Sequence, residues 1–246
     1  MKRLLCALLL IALSAASAGP ARAAERVDLL LVLAADVSRS VDADKFELQR
    51  EGYAAAITDH RVLEAIAGGR EHRVAVLYME WSGLLSQKVV IDWSTIDGPQ
   101  TAQTFAERLL EAPRAFADHT SISAGIDFAV VQLLRAPYTA GRRAIDISGD
   151  GTNNDGREVT EARDAAVARG ITINGLAIPS DHPLPWTPEH TNPPGGLAAY
   201  YRANVVGGSG AFVMQAKDFN SFGEAIIKKL IAEIATAPGP ARLNPG

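Results

Sequence analysis

Apolar residues recur along the chain in two ways, as short unbroken runs and as longer stretches at helical spacing. Leu29 to Ala35 contains no polar residue, and such a run bounded by polar positions predicts a strand buried on both faces. That strand is read over about residues 27–35. Further strands are read over Arg73–Trp81, Gln87–Trp93, Arg142–Ser148, Ile171–Ile178 and Ala211–Met214. Helices are predicted between them. Phe46, Tyr53 and Ile57 mark Asp42–Ile57, with Asp42 as its cap. A short turn over Val62–Ala67 stops at Gly68-Gly69, and Pro99 opens a helix to Glu111. The others cover Thr120–Leu134, Arg157–Ala168 ending at Gly170, Leu197–Asn204 and Phe219–Ile234. Ser82-Gly83 joins two strands so closely that they must form an antiparallel hairpin. Asn174-Gly175 ordinarily signals another hairpin, but its flanks are too short to pair, so the strand is read straight through. Alternating strands and helices predict an α/β fold with a mostly parallel sheet, helices on both faces, and the hairpin strand at an edge.

The amino terminus changes the picture of where the protein works. Lys2 and Arg3 precede an apolar run, Leu4 to Leu13, and Ala21-Arg22-Ala23 reads as a cleavage site. The run is too short to span a bilayer, so residues 1–23 are read as a signal peptide. Residues 25–236 are read as one domain and 237–246, rich in proline, as a disordered tail. Export is therefore expected, and the bacterial character of the signal favours the periplasm over the outside. No later run is long enough to span a membrane. The formal charge is −4, and loss of the basic residues Lys2, Arg3 and Arg22 takes it to −7. That balance speaks against nucleic acid as a partner. Cys6 is the single cysteine and falls within the signal, so no disulfide is expected.

The candidate chemistry begins where the first strand ends. Asp36-Val37-Ser38-Arg39-Ser40 leaves the C-terminal end of a central strand, the edge at which open α/β sheets bind ligands. Alternate residues of an extended turn point the same way, so Asp36, Ser38 and Ser40 can converge as three hard oxygen donors for magnesium or a similar cation. Serine and aspartate are also common helix caps. Asp150 ends the fourth strand as Asp36 ends the first. Asp155 already stands before the next helix, which leaves Asp150 spare, and Gly151 allows a close backbone approach. Thr120 suits either an N-cap or a ligand, and its loop can return to the same rim.

Taken together, Asp-x-Ser-x-Ser after a first strand, Thr120-Ser121-Ile122-Ser123-Ala124-Gly125 opening a helix, and Ser148-Gly149-Asp150-Gly151 after a fourth strand resemble the von Willebrand factor type A domain. The likeness runs from Val27 to about Ile234. Tyr78-Met79-Glu80-Trp81-Ser82, Asp150-Gly151-Thr152-Asn153-Asn154 and Ile173-Asn174-Gly175-Leu176-Ala177-Ile178 look like a bacterial exported subfamily of uncharacterised function. The resemblance implies a Rossmann-like, doubly wound six-stranded sheet of order 3-2-1-4-5-6 with strand 3 antiparallel. It also implies a metal-ion-dependent adhesion site holding one Mg2+, or Mn2+ or Ca2+ in its place. Ser38 and Ser40 would bind directly, Asp36 and Asp150 would supply charge, often through water, and Thr120 would bind directly or through water. One position on the metal would remain for a carboxylate from a partner protein or peptide.

Other residues are read more plainly. Asp146 is expected in a buried ion pair, and His119 as a loop residue. His182 and His190, with Asp181 and Glu189, match no zinc spacing and are placed in a mobile loop. The Pro179–Pro194 loop, with Trp186, is expected on the metal rim, where it would shape recognition. An enzyme is not expected. The stretch after the fourth strand lacks the third glycine of a dinucleotide fingerprint, and no nucleophile elbow or Walker loop is present. Two alternatives stay open: a metal-dependent hydrolase or phosphatase using Asp36, and a scaffold whose metal is purely structural.

Overall fold

A computed structural model describes residues 24–179 and 187–235. The expected signal peptide and tail therefore lie outside the described residues, as do Asp181, His182 and Trp186. The chain begins with β1 (Glu25–Val27) and β2 (Leu30–Asp36), followed by α1 (Ala43–Thr58) and α2 (His60–Ala67). The hairpin β3 (Val74–Trp81) and β4 (Gln87–Ile96) leads to α3 (Pro99–Glu111) and α4 (Ile122–Leu134). Next come β5 (Tyr138–Ala140), β6 (Arg143–Gly149), α5 (Val159–Val167), β7 (Thr172–Ala177) and α6 (Pro188–Thr191). The last elements are α7 (Leu197–Tyr200), which continues as a π turn over Tyr201–Val205, then β8 (Val213–Gln215) and α8 (Phe222–Ala235).

Six strands form one sheet in the order β4-β3-β2-β6-β7-β8. Every pairing is parallel except β3 with β4, which puts the single antiparallel strand at an edge. This is the order 3-2-1-4-5-6 counted within that sheet. Because side chains alternate along a strand, Leu31, Leu33 and Ala35 pack with α1, α2, α3 and α8, while Leu30, Val32 and Ala34 pack with α4, α5 and the π turn. The unbroken apolar run of β2 is thus a strand buried on both faces. α1 leaves β2 to one face and α5 leaves β6 to the other, so the crevice between those strand ends is the switch point. Ala35 lies in register with Ser148, which sets Asp36 and Asp150 side by side at that crevice.

The structure departs from the expected elements in places. Val27 belongs not to the central strand but to a small parallel pair, β1 with β5, too short to leave a pattern in the sequence. α5 begins at Val159 rather than Arg157, and Asp155 does not cap it: Asp155 instead accepts from Leu84 N at 2.8 Å and ties down the hairpin turn. Asn174 sits inside an intact strand, where its amide donates to Glu233 Oε1 at 2.9 Å and accepts from Phe212 N at 3.2 Å. Asp146 is in the expected ion pair. Lys229 Nζ is 2.7 Å from Asp146 Oδ1 and 2.7 Å from Glu233 Oε1, all three buried between α8 and the sheet.

Candidate metal centre

The turn after β2 is held by its backbone, which frees its side chains. Val37 N donates to Trp81 O at 2.9 Å and Arg39 N to Asp118 O at 3.0 Å. Arg114 Nη2 collects the carbonyls of Val37, Ser38 and Val41 at 2.8, 3.1 and 2.7 Å. Gln49, buried on α1, donates to Asp36 O at 3.1 Å. Asp42 caps α1 as expected, accepting from Lys45 N, so neither Ser38 nor Ser40 is needed as a cap.

Asp36, Ser38, Ser40 and Asp150 come together here. Asp36 Oδ1 accepts from Ser38 N at 2.8 Å. Ser40 Oγ donates to Asp150 Oδ1 at 2.5 Å, and Ser38 Oγ lies 3.1 Å from Ser40 Oγ. Ser40 has given its one proton to Asp150, so Ser38 is the donor in that second contact. Lys45 Nζ donates to Ser40 O at 2.8 Å and stands 3.6 Å from Asp150 Oδ2. Thr120 enters through the Asp150 loop: its N–H donates to Asn154 Oδ1 at 3.0 Å, and Asn154 N donates to Thr120 O at 2.9 Å. Thr120 does not cap α4. Ser121 does, accepting from Ala124 N, and this leaves the Thr120 hydroxyl available. All five residues are buried.

The electrostatics are those of a buried acidic pair with the Lys45 ammonium beside only one of its members. Burial, and then the charge of Asp150, push the Asp36 carboxyl up to about 8. Burial raises Asp150 as well, against the pull of Ser40 and Lys45. Asp36 Oδ2 is buried without a hydrogen-bond partner, and Asp150 Oδ2 has only the Lys45 ammonium near it. Unpaired buried carboxylate oxygens are costly. Two of them, beside serine and threonine hydroxyls, form a hard-oxygen donor set that a divalent cation would satisfy. The residues present fit such an ion.

Sequence reasoning missed several parts of this site. Tyr201, from the π turn, brings a buried hydroxyl with no partner against Gly149. A Cβ on Gly149 would lie 2.6 Å from Tyr201 Oη and 2.9 Å from Asp36 Oδ2, so glycine is needed there for closeness. His190 was expected in a mobile zinc-free loop. It is instead a buried residue of α6, its Nε2 3.2 Å from Thr120 Oγ1 and its Nδ1 3.2 Å from Thr152 Oγ1. Burial lowers its pKa. Among the described residues no group of three or more His, Cys, Asp or Glu converges on a point; Asp181 and His182 lie outside them. His119 is an exposed loop residue bonded to Asp118.

Residues 26–238 match the family described as a protein of unknown function, DUF1194. The chain belongs to that family. No curated protein matches it. Among solved structures it is similar to proximal thread matrix protein 1 from the mussel byssus, solved with a zinc-occupied MIDAS motif, at 13% identity and a TM-score of 0.57. That likeness covers 84% of this chain and 48% of the mussel protein. It is also similar to a von Willebrand factor type A protein from Catenulispora acidiphila, at 14% identity and a TM-score of 0.55 over 85% and 43% of the two chains. The pilus adhesin SpaC from Lactobacillus rhamnosus GG gives 14% identity and a TM-score of 0.57 over 86% and 30%. The chain spans less than half the length of each of these structures. At such identities the likeness shows the fold, and that fold is the von Willebrand factor type A fold. Among the described residues no helix is long and apolar enough to cross a membrane.

Proposed function

We propose that this DUF1194 member is an exported, divalent-metal-dependent binding module that holds a partner through a carboxylate. Asp36, Ser38, Ser40, Thr120 and Asp150 would hold one Mg2+, with Mn2+ or Ca2+ as substitutes. The observation that carries this reading is the buried pair Asp36 and Asp150, with Asp36 Oδ2 unpartnered, Ser38 N on Asp36 Oδ1, and the Ser38 and Ser40 hydroxyls leading to Asp150. A bound cation would supply the opposite charge that the pair lacks, and a position for an acidic residue of the partner. Ser38 and Ser40 orient their oxygens by the relay to Asp150, and Lys45 tempers the second carboxylate. The zinc-occupied MIDAS motif of the similar mussel protein supports the choice of a divalent ion. Export, to the periplasm, rests on the Lys2-Arg3 start and the Leu4–Leu13 run.

The reading as a binding module rather than a hydrolase rests on the setting of Asp36. It is fully buried, a poor property for a carboxylate nucleophile that must meet substrate. The test is a selection from a displayed peptide library against the immobilised protein in Mn2+, with elution by chelator. Recovered peptides are expected to share an Asp or Glu, to lose binding when it becomes Asn or Gln, and to ignore Asp36→Ala protein. No peptides released by chelator, or released peptides indifferent to that acid, would contradict the reading.

A further inference from the structure

We infer that His190 is a positioning residue of the metal centre: its Nε2–H holds the Thr120 hydroxyl ready as a ligand. The inference rests on the metal-binding reading above. Hydrogen-bond logic fixes the ring. Thr120 N donates to Asn154 Oδ1 at 3.0 Å, which settles which end of that amide is oxygen. The other end, Nδ2, then faces His190 Nδ1 at 3.4 Å and can only donate. Nδ1 is therefore an acceptor, a role the Thr152 hydroxyl at 3.2 Å also suits, and the ring proton sits on Nε2. Nε2 in turn donates to Thr120 Oγ1 at 3.2 Å. A hydroxyl oxygen has two lone pairs. With one accepting from His190, the other is left for a cation.

The rest of the surroundings serve this placement. His190 O accepts from Thr152 N at 2.8 Å, and His190 N donates to Thr187 O at 3.0 Å, so the residue is pinned at both backbone ends. Its ring lies against Gly151, where a Cβ would collide with Nε2; any side chain there would push the imidazole off. Each partner of the ring, Thr120, Thr152 and Asn154, stands in a loop of the metal rim. Such a residue acts on ligation through Thr120 rather than by touching the ion, as outer-sphere histidine and carboxylate partners do in metal sites.

The experiment is calorimetric titration of the full protein with Mn2+ at one pH. The series comprises wild type, Asp36→Ala, His190→Ala, His190→Gln, Thr120→Val, and the double variant of His190→Ala with Thr120→Val. His190→Ala is expected to weaken Mn2+ binding roughly 10–100-fold, the usual cost of losing an outer-sphere partner. His190→Gln, whose amide N–H can reach the same hydroxyl, is expected to recover most of the loss. In the Thr120→Val background His190→Ala should change affinity by no more than about two-fold, because its effect runs through that hydroxyl. His190→Ala binding like wild type, or an undiminished loss beside Thr120→Val, overturns the inference while the Asp36-dependent binding of wild type still stands. Wild type that takes up no Mn2+ overturns both.

Discussion

At the scale of the residue, Asp36 joins the fold to its proposed task. Its carboxyl is pushed up to about 8 from an ordinary 3.8, mainly by burial and then by Asp150. In the absence of a cation the folded protein therefore binds a proton that the unfolded chain releases. Its contribution to stability is full below the unfolded pKa and is lost as pH rises through the folded one. Asp150, raised by burial, and Asp146, pushed up to about 7 by burial and Glu233, act in the same direction, so a wild-type profile contains all three. Asp36→Asn removes one of them. In chelator, the midpoint of thermal unfolding should fall more steeply for wild type than for Asp36→Asn between about pH 5 and about pH 8. Parallel profiles would show that Asp36 does not carry the charge assigned to it.

At the scale of the element, α8 is held to the sheet by Lys229, buried with Asp146 on β6 and Glu233 one turn away. Removing the ammonium would leave two buried carboxylates facing each other. Lys229→Met should cost about 3–5 kcal/mol in urea unfolding, the range for breaking a buried pair from one side. A loss below about 1 kcal/mol, the worth of an exposed pair, would contradict that account. The same elements explain what was legible in the sequence. β2 and β3 are buried on both faces and announce themselves as apolar runs, and Asp42 and Pro99 mark helix starts by local chemistry. The loops were less legible because their roles are settled by distant partners. Ser121 takes the cap that Thr120 could have taken, and Asp155 turns to Leu84 in another loop. His190 meets Thr120 across seventy positions, a contact for which no periodicity exists. The five candidate ligands could be named from the sequence because Asp36 and Asp150 stand at strand ends, Ser38 and Ser40 lie in the turn after the first of them, and Thr120 stands just before a helix.

At the scale of the whole molecule, strand order does the assembling. With β2 and β6 adjacent and their following helices on opposite faces, two turns that are 110 residues apart meet through Ser40 and Asp150. The loop before α4 and the α6 segment close over the same end of the sheet. On the proposed reading this crevice is built to take a cation, and the most direct check is whether the cation stabilises the protein. Thermal unfolding would be followed in chelator and in excess Mg2+ or Mn2+, for wild type, Asp36→Ala and Ser38→Ala. At a hundred times its dissociation constant a metal adds about 2.7 kcal/mol, which for a domain of this size raises the midpoint by about 5–10 °C. The account predicts that rise in wild type and its loss in both variants. An unchanged midpoint at millimolar metal, or a rise that both variants retain, would contradict it.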